Sequence, residues 1–319
     1  TDVQPYNMKG WSNPVYSCTL VEVVANGNSR IIQGKGLPHK VHLARFQKLL
    51  KDSTHYMKAQ FSSSFRIFID TSDTSSCKSF DYTFNDKLSA PSVFPFAITG
   101  NAFQPLAYVS FPLPLHTYHQ NMENIVKFVD PLKFNQKLEK AVWRGSKNGY
   151  LAWTQAFKPE MTNIPRDKII AIAAKNPTLL EASYTKTSWL NIVKHKYIIA
   201  VSGNTWSSLL AEALWSNSVV LRQNPIMYQW FESFLIPWTH YIPVKYDLSN
   251  LISQIQWAVA HPVKCNEIAQ AATAFALKYF NDGAKFKYTY NTIEHNMPKL
   301  LPLPALLGMP VKSEKSNVS

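Results

Sequence analysis

The fold is decided by residues 195–244, which read HKYIIAVSGNTWSSLLAEALWSNSVVLRQNPIMYQWFESFLIPWTHYIPV. A short apolar run there ends at the polar turn SGNT (residues 202–205), and an amphipathic segment follows over residues 206–215. A second apolar run ends at Arg222. This order of strand, turn, helix and strand is typical of a parallel α/β unit. In such a unit the first N–H groups of the helix face a crevice at the carboxyl edge of the sheet and favour a phosphate there.

Length and composition indicate a globular chain with two domains of ordinary size. The sequence has 319 residues, of which 46% are hydrophobic and 13% aromatic, and this excludes disorder as the overall class. No apolar run reaches the roughly 18 to 20 residues of a membrane helix, and the first residues lack a signal-peptide pattern. The sequence begins at Thr1 rather than at a methionine, which leaves open that an upstream segment was removed.

The net charge of +13 indicates an acidic partner, which could be nucleic acid, an anionic membrane or a phosphate-bearing ligand. The basic residues are scattered, and the densest cluster, residues 194–196, holds two lysines and a histidine. We therefore expect no specific nucleic-acid stripe, although a nucleic-acid-binding protein stays an alternative from the charge alone.

Cysteine and histidine spacing predicts neither a disulfide framework nor a metal site. Cys18, Cys77 and Cys265 stand far apart, form no CxxC pair and suit a reducing compartment. His116 and His119 lie in a proline-rich loop without further metal ligands nearby, so a solvated loop is expected there. The predicted location is the cytoplasm, with the lumen of the ER or Golgi as the alternative if an upstream signal or anchor was removed.

The remaining patterns divide the chain into two α/β halves and a terminal helix. Asn26-Gly27 between two β-prone runs predicts a hairpin, residues 41–51 a helix and residues 65–69 a strand. Two α/β halves predict a ligand in the cleft between them. The predicted division is a first domain over residues 1–139, a second over residues 140–284, a helix over residues 285–302 that packs back on the first domain, and a flexible tail over residues 303–319.

Several unlike motifs occur in an order and spacing that resemble one known family. They are WRGS (143–146), PRD (165–167), KNP (175–177), YTK (184–186), PWTHYIPV (237–244) and DLSNL (247–251). Together they resemble glycosyltransferase family 90, and the likeness covers roughly residues 29 to 300. The resemblance implies a GT-B architecture, in which two Rossmann-like domains face a central cleft. It also implies inverting, metal-independent transfer of a sugar from a UDP-sugar, with no cofactor besides that donor; the chain contains no Asp-x-Asp.

An inverting transferase needs a base that deprotonates the acceptor hydroxyl during its attack on the anomeric carbon. Residues 67–73 (IFIDTSD) line up with the family's strand and catalytic aspartate, which assigns this role to Asp73 in preference to Asp70. Capping of a turn or helix is the commoner role for such residues, and it would be the favoured interpretation without the resemblance.

The transferase also needs N–H dipoles or cations for the departing diphosphate. Arg144 follows a strand and precedes a turn that can approach phosphate closely, and arginine offers a fixed fork of donors. Many family members carry an arginine in the helix after the SGNT turn, where this sequence has Ser208 and Leu209. Arg166 or Arg222 is expected to compensate. The predicted donor-binding residues are Arg144, Gly145, Ser146, Arg166, Gly203, Asn204, Thr205, Trp206, Ser207 and Arg222.

Other conspicuous side chains are interpreted as structural. Trp215 and Trp230 are predicted to lie in the core, His240 is not assigned to catalysis, and Glu212 and Glu232 are interpreted as solvated charges on helix faces.

The predicted function is transfer of xylose or glucose to a hydroxyl of a glycan or glycoprotein. The alternative is a catalytically inactive module that binds a sugar nucleotide or a glycan, for which loss of the helix arginine is the supporting feature.

Overall fold

The computed structural model describes most of the second half of the chain and separate parts of the first. The described residues are 18–34, 40–70, 96–97, 100–101, 111–112, 132–149, 158–204, 206–225, 227–297 and 301–302. Within them, no helix is both long enough and apolar enough to cross a membrane.

The predicted hairpin is confirmed as strands β1 (Cys18–Val23) and β2 (Ser29–Gly34), which pair antiparallel. Gly27 makes the turn possible because its φ of 84° lies in the left-handed region. The turn also lies close against the following helix, since a Cβ on Gly27 would stand 2.7 Å from Oγ1 of Thr54. A side chain at this position is therefore excluded by both the backbone angle and the space.

Helix α1 (Lys40–Met57) is longer than the predicted 41–51 because two polar residues are satisfied inside it. The hydroxyl of Ser53 donates to the carbonyl of Leu49 at 2.6 Å, and that of Thr54 donates to the carbonyl of Lys51 at 3.0 Å. The Thr54 hydroxyl also lies 2.9 Å from the carbonyl oxygen of Asn26 in the hairpin. Contacts with the hairpin therefore override the weak helix propensity of serine and threonine.

Strand β3 (Phe65–Asp70) pairs antiparallel with β1, and the described strands of the first half form a mixed sheet around it. Strand β4 (Phe96–Ala97) adds in parallel to the end of β3. The other described strands of this half are β5 (Gly100–Asn101) and β6 (Phe111–Pro112), and the path through the sheet is β2-β1-β3-β4-β6.

The second half of the chain forms a parallel sheet with helices between its strands, and its α/β class is confirmed. Its elements are β7 (Leu138–Arg144), α2 (Pro165–Lys175), β8 (Leu180–Ser183), α3 (Trp189–Val193), β9 (His195–Ala200), α4 (Ser208–Trp215), β10 (Val219–Gln223), β11 (Met227–Tyr228), β12 (Ile242–Val244), α5 (Leu251–Ala260) and α6 (Pro262–Tyr279). Strand β11 pairs with β5 of the first half. The order of the parallel strands is β12-β10-β9-β7-β8.

The strand order contains one reversal of direction. The chain moves outward from β7 to β8, and it then crosses back to lay β9 on the other side of β7. When the five strands are numbered 1 to 5 in chain order from β7, their order in the sheet is 2-1-3-4-5, which is a doubly wound order. The loops that leave β7 and β9 therefore diverge and open a crevice at the carboxyl edge of the sheet, which is where α/β proteins bind ligands.

Alternate residues of the parallel strands pack against helices on both faces of this sheet. Val142, Ile198 and Val220 share a cluster with α4 and the second half of α6. Trp143 and Tyr197 face the opposite way, toward α2, α5 and the first half of α6. Burial on both faces explains the continuous apolar runs in the sequence. The predicted core positions of the two tryptophans are also confirmed, since Trp215 and Trp230 are buried on the α4 side.

The last described elements return to the first half of the chain. Helix α7 (Asp282–Asn296) contacts α1, and strand β13 (Leu301–Pro302) pairs antiparallel with the first residues of β3. Ile293 of α7 and Trp206 are buried in one cluster with residues of β1 and α1. The predicted division into domains stays a prediction.

A buried lysine holds the amino edge of the parallel sheet together. The Nζ atom of Lys137 donates to the carbonyl oxygens of Val193 at 2.8 Å and Ser216 at 2.7 Å, and to the hydroxyl of Ser218 at 2.9 Å. The two carbonyls lie at the carboxyl ends of α3 and α4, where a cation is favoured by the helix dipole and satisfies groups that lack a partner within the helix.

Replacing Lys137 with methionine is expected to lower the free energy of unfolding by about 2–4 kcal/mol, because it leaves buried carbonyls without this donor. Urea denaturation followed by circular dichroism measures the loss. Lys194→Met, at an exposed position of the neighbouring turn, is the control and should change stability by less than about 0.5 kcal/mol. Equal stability of the two variants would contradict the role assigned to Lys137.

Candidate functional site

A buried arginine lies in the crevice between the loops that leave β7 and β9. Arg166, in the first turn of α2, donates from Nη1 to the carbonyl of Ser146 at 2.9 Å and from Nε to the carbonyl of Ser202 at 3.2 Å. It also contacts the Oδ1 atom of Asn148 and the carbonyl of Val201. One guanidinium thus joins both loops of the switch point. Pro165 places it there by starting the helix one residue earlier.

The charge of Arg166 is not compensated by a carboxylate within the described part of the chain. The residue is 8% exposed, and burial lowers the pKa of its guanidinium to about 10. The ring of Trp143, whose centroid lies 5.8 Å from Cζ, gives a weak attraction to the cation. A buried cation whose hydrogen-bond partners are all neutral favours an incoming anion.

The loop after β9 approaches this arginine closely at Gly203. A Cβ on Gly203 would stand 2.7 Å from both Nη2 of Arg166 and Oδ1 of Asn148. The next residue, Asn204, accepts the backbone N–H of Gly149 through Oδ1 at 2.9 Å. The predicted residues Arg166, Gly203 and Asn204 therefore come together, and the backbone of Ser146 joins them.

The same loop is tied to the next strands by a residue that the sequence analysis missed. Gln223, the last residue of β10, is 2% exposed; its Oε1 accepts the N–H of Ser202 at 2.9 Å, and its Nε2 donates to the carbonyl of Tyr246 at 2.6 Å. The sequence could have indicated Gln223 as a site residue, because it ends a predicted parallel strand and ligand sites form at the carboxyl ends of such strands. Asn148 was missed as well, two residues after the Gly145-Ser146 turn.

Arg144 lies on the far side of β7 from Arg166. Its guanidinium pairs with Glu181 of β8, and burial lowers its pKa. The partner side chain is 44% exposed, so this ion pair is open to solvent and to exchange of partners. Gly145 follows at a point where a Cβ would stand 2.6 Å from the ring of Trp143. Donor binding by Arg144 and Gly145 stays a prediction.

Arg222 already has a buried anionic partner. Its Nε donates to Oε2 of Glu232 at 2.9 Å, and its Nη1 donates to the hydroxyl of Tyr241 at 3.1 Å. The interpretation of Glu232 as a solvated charge is wrong, because the carboxylate is buried with Arg222 and also accepts the N–H of Gln229. The same interpretation is wrong for Glu212, which is half-buried and whose pKa burial raises. Donor binding by Arg222 stays a prediction.

The remaining predicted residues lie at the start of α4 or outside the described residues. The ring of Trp206 is buried in the cluster with β1 and α1, and Ser207 is the residue before the helix, with its carbonyl 3.4 Å from Nε2 of Gln229. Thr205 and Asp73 lie outside the described residues. Within the residues that are described, no group of three or more His, Cys, Asp or Glu side chains is placed to hold a metal ion.

A doubly wound parallel sheet with a cation and glycine-bearing loops at its switch point is typical of α/β proteins that bind phosphate-bearing ligands. The family model for glycosyl transferase family 90 matches residues 64–301. The chain belongs to this family.

Curated relatives carry names consistent with this membership. The chain is 28% identical to protein O-glucosyltransferase 2 of Danio rerio over 178 residues, which are 50% of this chain and 33% of the relative. It is 26% identical to protein O-glucosyltransferase 1 of Homo sapiens over 189 residues, which are 54% of this chain and 45% of the relative. It also matches the uncharacterized protein 035R of Invertebrate iridescent virus 3 at 28% identity, over 44% of this chain and 15% of that protein. These matches thus span less than half of each relative.

Replacing Glu232 with glutamine is expected to lower the free energy of unfolding by about 3–5 kcal/mol, because the buried guanidinium of Arg222 loses its compensating charge. Chemical denaturation measures the change. Glu181→Gln removes the partner of Arg144 from a pair that is open to solvent, and it should cost less than about 1 kcal/mol. Losses of similar size at both positions would show that the Arg222 pair contributes no more than a surface ion pair.

Proposed function

We propose that the protein is an inverting glycosyltransferase of GT-B architecture that moves a sugar from a UDP-sugar to a hydroxyl of a glycan or glycoprotein. The observation that carries this proposal is the buried guanidinium of Arg166, which has no carboxylate partner among the described residues and lies at the switch point of a sheet in a family 90 member. Glucose is supported by the names of the relatives, and xylose is supported by the resemblance found in the sequence.

The donor side of the reaction uses the crevice between β7 and β9. As the bond between the anomeric carbon and the diphosphate oxygen breaks, negative charge grows on the departing UDP. The cation of Arg166 lies next to the loop of Gly203, and the first N–H groups of α4 follow that loop. Fixed donors in a water-poor crevice stabilise such a charge without reorganisation, and they do not require a metal ion.

The acceptor side is assigned by resemblance to Asp73. As general base, its carboxylate takes the proton of the acceptor hydroxyl while the hydroxyl oxygen forms a bond to the anomeric carbon. Attack from the face opposite the diphosphate inverts the configuration at that carbon. The products are the glycosylated acceptor and UDP, with the proton on the base.

Arg166 is a better substitute than Arg222 for the arginine absent from α4. The charge of Arg222 is already neutralised by Glu232, so moving it to a phosphate would leave a buried carboxylate alone. Arg166 has neutral partners among the described residues and gains a counter-charge when a diphosphate binds.

The second candidate function is an inactive module that binds a sugar nucleotide or a glycan. It is favoured by Leu209 and Ser208 in place of the family's arginine, since α4 then brings no cation of its own to the crevice. A UDP-sugar that binds without slow hydrolysis or transfer would support this alternative. For the glycosyltransferase we also propose a cytoplasmic location, which is supported by the small number of cysteines in the sequence.

Arg166→Gln is expected to weaken UDP binding by about 10- to 100-fold, because a charge-assisted hydrogen bond contributes roughly 1.5–3 kcal/mol. Isothermal titration calorimetry on the full chain measures the affinity. Lys175→Gln removes an exposed positive charge from the other end of α2 and is the matched control, with an expected change below about twofold. Equal UDP affinity in both variants would remove Arg166 from the donor site.

Asp73→Asn is expected to lower kcat by about 10²- to 10⁴-fold, the contribution of a general base, with the UDP-glucose affinity unchanged. Turnover is measured as UDP released from UDP-glucose or UDP-xylose, with and without acceptor extracts. Full turnover in this variant would assign the base elsewhere, with Asp70 as the next residue to substitute.

A further inference from the structure

Two asparagine side chains at the crevice have their oxygen atoms already engaged by N–H donors. Oδ1 of Asn148 contacts the guanidinium of Arg166, and Oδ1 of Asn204 accepts the N–H of Gly149 at 2.9 Å. These donors determine the orientation of both amides, because a flipped amide would place its NH2 group against another N–H donor. Among the described residues neither Nδ2 group has an acceptor, so each is available to a ligand.

Asn148 lies among donor groups, and the carboxylate of Asp167, next to Arg166 in the chain, is engaged by the hydroxyl of Tyr184 and by Nζ of Lys147 at 4.0 Å. Its neighbour Arg166 donates to backbone carbonyls on both sides of the crevice and is not paired with a carboxylate among the described residues. Gly203 brings the next loop so close that a Cβ would stand 2.7 Å from the Asn148 oxygen. Asn148 itself is exposed, so a ligand can reach its amide.

We propose that Asn148 is a diphosphate-binding residue with two functions. Its Nδ2 group donates to a phosphate oxygen, and its neutral Oδ1 holds Arg166 in place without cancelling the charge that the phosphate needs. This inference deepens the function proposed above and rests on it. It also implies that the site sacrifices stability for binding, because a carboxylate at the same position would compensate the guanidinium.

The test is the substitution Asn148→Asp, which keeps the shape and the oxygen acceptor but replaces the NH2 donor with a negative charge. We expect the melting temperature to rise, by about 1–3 °C, because Arg166 gains a counter-charge. We expect the affinities for UDP and for inorganic pyrophosphate to fall by at least about tenfold. Asn148→Ala, which loses the donor without adding charge, should weaken both ligands by about three- to tenfold and should not raise the melting temperature.

The matched control is Asn26→Asp in the β1–β2 hairpin. It adds the same charge and keeps the acceptor for the N–H of Asn28, which lies 3.0 Å from Oδ1, and an aspartate before Gly27 still suits the turn. Its ligand affinities should equal those of the wild type. Calorimetry on the full chain measures both ligands, and thermal unfolding followed by circular dichroism measures stability.

The inference is overturned if Asn148→Asp binds both ligands as the wild type does, or if its melting temperature falls together with its affinity. The second outcome would mean that the amide only supports the loop. Wild-type protein that binds pyrophosphate but not UDP would contradict the proposed function and leave the anion site in place. Wild-type protein that binds neither would refute both.

Discussion

The candidate site depends on how firmly the backbone of residues 201–204 and 206–207 is held. Arg166 binds the carbonyl at 202 and Gln223 binds the N–H of the same residue, so this peptide segment is fixed from two sides. Asn204 ties the loop to the β7 side, and Gln229 reaches its last carbonyl, at Ser207. These contacts come from four separate parts of the chain, at Gly149, Arg166, Gln223 and Gln229. A loop fixed in this way presents its remaining N–H groups in one geometry, which is the condition for binding a leaving group without reorganisation.

Three arginines, two on strands of the parallel sheet and one on helix α2, show how similar residues take different roles through their partners. Arg222 shares a buried pair with Glu232, and the charge is cancelled where it lies. Arg144 faces a carboxylate that solvent also reaches. Arg166 has neutral partners within the described residues, and it is the one at the strand reversal. A buried cation without a counter-charge lowers the stability of a folded protein. Arg166 lies at the strand reversal, where α/β proteins bind ligands, so an anionic ligand there would supply the counter-charge.

The sequence was informative wherever local chemistry decides structure. The hairpin at Asn26-Gly27, the helix within the amphipathic segment 206–215 and the strand ending near Val201 follow from turn residues and apolar patterns, and all three are present. The sequence analysis failed where the environment of a side chain depends on a partner from another part of the chain. Glu232 resembles a surface charge until Arg222, ten residues away, is placed beside it, and Gln223 is an ordinary strand residue until two flanking loops meet its amide. The assignment of Asp73 depends on resemblance alone.

The pairing of β13 with β3 also sets an order in which the chain can fold. Leu301 stands opposite Arg66, so this edge of the first sheet cannot be covered until nearly the whole described chain has left the ribosome. The parallel sheet, by contrast, is built from one continuous stretch that ends at Val244 and can form earlier. During synthesis one side of the first residues of β3 therefore stays unpaired until late, and an open strand edge of this kind favours wrong association of nascent chains.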